Sequence, residues 1–214
     1  MNNNFYAGPH CCKKIEQQLT EIKEAIVALK TKQTGGSYDK VLKNCADVYN
    51  SGEKISGVYK IDSDGLGEFE VYCDHKTAGG GWTVFQKRQD GSVDFFRTWD
   101  AYKRGFGNLN GEFWLGLDKI HRLTVSSSSK LRVDLEDIHG NKAFAEYTSV
   151  TVASERAKYQ LSLGKYSGTA DNSLAYHRGQ AFSTKDRDND IDDSRNCTSD
   201  YKGVWCTRIL TTPT

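Results

Sequence analysis

A repeating pattern of apolar residues lies near the start of the chain. Steps of four and three residues alternate through Ile15, Leu19, Ile22, Ile26 and Leu29. This period predicts a coiled-coil helix over 13–33, and Leu or Ile at a with Ile at d favours three or four strands over two. Because the run covers fewer than three heptads, an amphipathic helix packed on its own domain is the alternative. Cys11 and Cys12, in the segment 1–12, lie at the start of this helix, where neighbouring thiols can form interchain disulfides. A homotrimer or higher oligomer is therefore expected.

After a Gly-rich linker at 34–37 the chain changes to short alternating segments rich in glycine and aromatic residues. Strands are predicted at 57–61, 67–72, 82–86, 130–136 and 142–147. The residues at 139–141 make the last two strands a hairpin. The run 111–118 indicates a buried turn leading into a short helix, and the polar chain beyond Gly164 needs disulfides or a metal to hold its shape. The predicted fold class is α+β with a mainly antiparallel sheet, in a domain spanning 38–214.

Composition and charge narrow the class of protein. With 37% hydrophobic and 27% charged residues and a net charge of +1, the chain has the profile of a soluble globular protein and lacks the strongly basic stripe of a nucleic-acid reader. No apolar run approaches the length of about 18 residues that a membrane span needs. Six cysteines without C-x-x-C pairs indicate disulfides and a secreted protein, with buried free thiols as the alternative. The first ten residues lack the features of a signal peptide, so we expect an upstream start or a fragment.

An acidic loop from Asp186 to Asn196 holds five carboxylates in eight residues. They are Asp186, Asp188, Asp190, Asp192 and Asp193. So many like charges repel unless water or a cation neutralises them, and a hard, oxygen-seeking ion such as Ca²⁺ fits best. An EF-hand is excluded, because Ile191 and Cys197 stand where its glycine and its bidentate glutamate are required. A solvated acidic loop is the alternative.

Several long motifs carry a resemblance to a known family. They include Ser56-Gly-Val-Tyr59, Val71-Tyr-Cys-Asp74, Gly80-Gly-Trp-Thr-Val-Phe-Gln-Lys-Arg-Gln-Asp-Gly91, Tyr102-Lys-Arg-Gly-Phe-Gly107, Gly111-Glu-Phe-Trp-Leu-Gly116 and Phe182-Ser-Thr-Lys-Asp186. In this order they resemble the fibrinogen C-terminal domain of ficolins, tachylectins, angiopoietin-like proteins and the fibrinogen chains. The resemblance covers residues 38 to about 205, and a coiled-coil stalk before the domain is a common plan in this family.

The resemblance implies roles for particular residues. By this resemblance Cys45 and Cys73 would form the first intradomain disulfide, and Cys206 would pair with Cys197, although at a shorter spacing than in the family. The carboxylates of Asp188 and Asp190 would bind a structural Ca²⁺, together with main-chain oxygens at Asp192 and Ser194. Tyr201 stands at the position of an aromatic residue of the acetyl-binding pocket.

The resemblance breaks after Trp205. The family continues with a Cys-His element and a long aromatic segment, whereas this chain has Cys206-Thr-Arg-Ile-Leu-Thr-Thr-Pro-Thr. The expected domain is therefore incomplete at its C-terminus. Because the opposing wall of the pocket is not encoded, this form is expected to bind acetylated ligands poorly.

Three functions compete. The first is a secreted, calcium-stabilised, multivalent lectin of the innate-immune kind that binds acetylated glycans. The alternative is a protein-binding signalling or matrix ligand of angiopoietin-like or tenascin type that recognises a cell-surface or matrix protein, or a truncated form that binds neither. The third, an enzyme, has no supporting arrangement of residues, since the histidines are scattered and no nucleophile motif is present.

Overall fold

The computed structural model describes residues 41–190. Its helices are α1 (Cys45–Asn50), α2 (Trp99–Arg104) and α3 (Leu117–Ser126). Its strands are β1 (Gly57–Ile61), β2 (Phe69–Asp74), β3 (Trp82–Val84), β4 (Gln86–Lys87), β5 (Phe106–Gly107), β6 (Phe113–Trp114), β7 (Ser129–Glu136), β8 (Lys142–Val152), β9 (Leu161–Leu163) and β10 (Tyr166–Gly168). No helix within these residues is long and apolar enough to cross a membrane.

The strands of this region form three small sheets. Their orders are β1-β2-β3, β4-β6-β5 and β10-β8-β7, with β9 also paired to β8. Every pairing between these strands is antiparallel. The predicted α+β class with a mainly antiparallel arrangement is therefore confirmed.

The first sheet follows from simple alternation. Phe69, Val71 and Cys73 of β2 are buried, while Glu70 between them is exposed, as expected for a strand with one face on the core. A disulfide joins Cys73 to Cys45, at the start of α1, with 5.4 Å between their Cα atoms. This is the pairing that the resemblance implies, and it fastens α1 to the sheet.

The hairpin of β7 and β8 is longer than its predicted form. Its turn is closed by Asp137, whose carboxylate accepts the main-chain N–H groups of His139 and Asn141. β8 continues to Val152, five residues beyond the predicted end, because its last three residues pair with β9. The second partner supplies hydrogen bonds that no short-range pattern shows.

Two predicted elements differ from the structure. The strand predicted at 82–86 is interrupted at Phe85, where the pairing passes from β2 to β6. The run 111–118 contains β6 as well as the start of α3, and α3 has ten residues. The chain beyond Gly164 also contains a strand, β10, and a 3₁₀ helix at Ser173–His177.

An aromatic cluster forms the core beneath the second sheet. Trp114 and Tyr102 are almost fully buried, and the indole N–H of Trp114 donates to the carbonyl of Tyr102 at 2.8 Å. The chain passes closely at Gly105, which has φ of +98°, and a Cβ there would collide with the carbonyl of Leu115. Glycine is needed at this position both for its backbone conformation and for its size.

Candidate functional site

The acidic loop follows directly after residues that pack on the aromatic cluster of Tyr102 and Trp114. Phe182, Ser183 and Thr184 are fully buried, although the residues that follow are exposed. The Phe182 ring lies 5.3 Å from the Tyr102 ring and 6.1 Å from the Trp114 ring, measured between centroids. Buried aromatic contacts of this kind fix the point at which the loop leaves the core.

Hydrogen bonds then shape the first turn of the loop. Thr184 and Arg187 exchange main-chain N–H···O bonds of 2.9 and 3.0 Å. Asn189 donates its main-chain N–H to the Ser183 hydroxyl and its side-chain amide to the Phe182 carbonyl. These hydrogen bonds fix the backbone from 182 to 189.

Asp186 serves the fold. Its carboxylate accepts the main-chain N–H of Trp99, the first residue of α2, and the hydroxyl of Thr184, both at 2.8 Å. Burial raises the pKa of Asp186. Hydrogen bonds from Thr184 and Trp99, together with the charge of Lys185, lower the pKa by more, so that it lies below its ordinary value. Its partner Trp99 lies 87 residues away in the sequence, so this carboxylate joins the loop to α2.

Asp188 and Asp190 are placed differently. Asp188 is exposed and Asp190 is half-buried, and the main-chain N–H of Asp190 donates to Asp188 Oδ1 at 3.1 Å. Carboxylate oxygens are suitable ligands for Ca²⁺. Within residues 41–190, however, no group of three or more His, Cys, Asp or Glu side chains is arranged to hold a metal. This part of the chain thus offers two suitable ligands, and an ion would need more.

The other site residues predicted from the sequence lie outside the described residues. These are the ligands Asp192 and Ser194, the aromatic residue Tyr201, the pair Cys197 and Cys206, the interchain pair Cys11 and Cys12, and the helix at 13–33.

A salt-bridge network connects the loop to α2. Glu155 accepts the indole N–H of Trp99 at 2.9 Å and the ammonium of Lys103 at 2.5 Å, and Arg187 lies 3.7 Å away. Hydrogen bonds from Lys103 and then Trp99 hold the pKa of Glu155 below its ordinary value. The guanidinium of Arg187 also stacks on the Trp99 ring, 4.2 Å from its centroid.

Glu112 is a structural centre that sequence reasoning missed. One oxygen of its buried carboxylate accepts the main-chain N–H groups of Gln89, Asp90 and Gly91 at 2.6, 3.1 and 3.0 Å, and the other accepts that of Val93 at 3.0 Å. Hydrogen bonds from Gln89 and Val93, and then from Gly91 and Asp90, outweigh desolvation and lower the pKa of Glu112 to about 2.

These bonds make the loop 88–93 depend on one side chain. The sequence signal that could have identified Glu112 is a lone glutamate directly before the apolar residues Phe113-Trp114-Leu115. A charge that is buried with such residues needs hydrogen-bonding partners.

The chain belongs to the fibrinogen C-terminal domain family. The family described as "Fibrinogen beta and gamma chains, C-terminal globular domain" matches residues 41–211. This range includes the disulfide, the aromatic cluster and the acidic loop.

Three kinds of similar protein are a tenascin, an ANGPTL globe domain and a fibrin chain. Tenascin-R of Mus musculus is 49% identical over 175 residues, which make up 80% of this chain and 13% of that protein. The fibrinogen-like globe domain of human ANGPTL6 is 44% identical with a TM-score of 0.73, covering 77% of this chain and 73% of that one. Lamprey fibrin D-dimer, solved with the peptide ligand Gly-His-Arg-Pro-amide, is 31% identical with a TM-score of 0.70, covering 92% and 70%. The match thus spans only a small part of the length of tenascin-R.

Proposed function

We propose that this domain is an extracellular, non-enzymatic recognition module that binds a protein of the matrix or cell surface. The observation that carries the proposal is its similarity to tenascin-R and to the ANGPTL6 globe, at 49% and 44% identity. Identity to the lamprey fibrin chain is lower, at 31%. The proposal keeps the multivalent arrangement expected from the heptad helix, because linked copies raise avidity through effective concentration.

Matrix laid down by cultured cells provides the test. The purified full chain, in calcium, is expected to bind this matrix saturably. Binding should be lost when the matrix is digested with protease, and should survive free N-acetylglucosamine and removal of heparan sulfate with heparinase. The heat-unfolded, reduced chain is the control for non-specific adhesion.

The lectin function makes the opposite prediction. Retention on N-acetylglucosamine resin in calcium, with release by free sugar or EDTA, would contradict the proposal. So would matrix binding that survives protease and is competed by acetylated sugar.

We further propose that Asp188 and Asp190 contribute carboxylate ligands to a Ca²⁺ that stabilises the loop. Support comes from their donor chemistry and from the neighbouring turn, whose other acid, Asp186, is already bonded to Trp99 and Thr184. Main-chain oxygens at Asp192 and Ser194 would complete the set. The bound ion would neutralise the repulsion among the loop carboxylates.

Calcium is therefore expected to raise the melting temperature of the full chain. Free calcium at 100 times its dissociation constant stabilises a folded state by about 2.7 kcal/mol when it binds only that state. The double substitution Asp188→Asn, Asp190→Asn should abolish the response in differential scanning calorimetry. Asp171→Asn, at another exposed acid, should leave it intact. An unchanged calcium response in the double variant would rule out these ligands.

A further inference from the structure

Four cationic side chains stack on aromatic rings around the start of α2. Measured to the ring centroid, Arg88 lies 3.9 Å from Phe95, Arg97 4.9 Å from Phe106, Lys185 4.6 Å from Phe96 and Arg187 4.2 Å from Trp99. Stacking of this kind holds long side chains in place while their polar ends stay near water.

Among residues 41–190, two of these cations form ion pairs and two do not. Arg88 lies 3.4 Å from a Glu112 oxygen, and Arg187 lies 3.7 Å from Glu155. Among residues 41–190, neither Arg97 nor Lys185 has a carboxylate oxygen within 4.0 Å. Of the four stacked cations, Arg97 and Lys185 are therefore the two without an ion-pair partner in the described part of the chain, although the charge of Lys185 also acts on Asp186.

Each of the two uses only part of its hydrogen-bonding capacity. Arg97 donates from Nε to the carbonyl of Asp94 at 2.7 Å, and Lys185 donates to the carbonyl of Phe96 at 2.9 Å. A guanidinium carries five N–H donors and an ammonium carries three. The terminal nitrogens of Arg97 and two hydrogens of Lys185 have no acceptor within the described part of the chain.

Both side chains line the same surface depression. Its volume is about 320 Å³, and Asp94, Phe96, Thr98 and Ala101 complete its lining. The Thr98 side chain makes no capping bond to α2, and the Asp94 carboxylate accepts the main-chain N–H of Phe96. The depression thus presents two partly unused cationic donors and a hydroxyl group, opposed by one carboxylate that is already hydrogen-bonded.

We propose that this depression binds a sulfate-bearing unit of an anionic polysaccharide. Charge-assisted hydrogen bonds from a guanidinium and an ammonium are the strongest contacts that a protein surface offers to an oxyanion. The volume lies at the lower end of the range of small-ligand sites, about 300–1,000 Å³. A depression of this volume can accommodate one sulfated sugar unit.

An extended acidic peptide fits this surface less well. Such peptides commonly add a strand to a free sheet edge, but residues 94–98 around the depression belong to no strand. A polysaccharide needs only donors and positive charge. This site is separate from the protein contact proposed above.

The test compares two pairs of charge-removing substitutions in the full chain. The probe is a defined heparin octasaccharide, titrated at several salt concentrations. Arg97→Gln with Lys185→Gln removes the proposed contacts. Lys130→Gln with Lys165→Gln removes the same charge from exposed lysines on or next to β7 and β10. Melting temperatures check that each variant folds.

We expect the first pair to weaken octasaccharide binding by about tenfold or more, since each lost charge-assisted bond is worth about that much. The slope of log Kd against log salt should fall by up to about two, one for each lost ionic contact. The second pair should change Kd by less than about twofold, as expected for distant charges screened by salt. Equal weakening by both pairs would overturn the proposal in favour of diffuse attraction.

Two further ligands test the chemistry. Hyaluronan, which has carboxylates and no sulfate, should bind much more weakly than the octasaccharide. A poly-glutamate peptide that binds as tightly as the octasaccharide, and is equally sensitive to Arg97→Gln with Lys185→Gln, would contradict the polysaccharide assignment and indicate an acidic protein segment.

Discussion

Replacing Glu112 with glutamine is expected to lower the melting temperature at neutral pH by about 5 °C or more. Glutamine has the same shape, but its NH₂ group must then face a main-chain N–H, either that of Val93 or those of the 89–91 segment. One buried donor is left without an acceptor, and the remaining bonds lose the help of the negative charge. Glu68→Gln, at an exposed acid, is the matched control and should melt like the parent.

The same residue gives a definite pH dependence. Its pKa falls from the ordinary 4.5 to about 2 in the folded domain, so the folded state favours the ionised form. The stabilisation is complete above pH 4.5 and is lost as the pH falls towards 2. The parent should therefore lose stability over this range, and Glu112→Gln should lose less. If the melting temperatures of the two proteins fell in parallel between pH 4.5 and 2, the charge of Glu112 would contribute little to stability.

Shortening Phe182 to alanine is expected to destabilise the domain by about 3–5 kcal/mol, the usual cost of removing a buried phenyl ring. The ring is fully buried and touches three other aromatic rings, those of Trp99, Tyr102 and Trp114. The resulting cavity also loosens the point from which the acidic loop leaves the core. Ile138→Ala, at a side chain that is 96% exposed, should have almost no effect.

Urea denaturation measures the free energy of unfolding in each protein. Phe182→Leu fills part of the space and should restore more than half of the loss. If Phe182→Ala were no less stable than Ile138→Ala, the Phe182 ring would contribute little to the stability of the domain.

Local patterns were sufficient for much of the framework. β1 occupies the predicted residues 57–61, and the hairpin of β7 and β8 turns where His139-Gly-Asn141 indicates. Alternation of apolar and polar residues, with turn residues between, carries this information. The disulfide between Cys45 and Cys73 required the family resemblance, since six cysteines allow many pairings.

Features that depend on distant partners were not predictable. The interruption at Phe85 arises because β4 pairs with β6, nearly thirty residues further on. β9 is only three residues long and is defined by its pairing with β8. Such elements exist because of tertiary hydrogen bonds rather than local propensity.

The candidate site shows the same limit. The sequence identifies the acidic loop, and the family resemblance assigns Asp188 and Asp190 to a cation, but neither predicts a partner for Asp186. Only the fold places the Trp99 N–H against Asp186, which gives this carboxylate a structural role. Within residues 41–190, Arg97 and Lys185 also lack ion-pair partners, and this is equally invisible in a chain whose net charge is +1.

The surroundings of Trp99 make it an intrinsic fluorescent reporter of the acidic loop. Its indole N–H is bonded to Glu155, its ring lies against the Arg187 guanidinium, and its main-chain N–H is bonded to Asp186. Two of these three contacts come from residues within two positions of Asp188. Any event that moves the loop, such as ion binding or its reversal, alters the charge next to this ring and hence its emission. A calcium-dependent signal that disappears in Trp99→Phe would allow loop occupancy to be followed in solution without an added label.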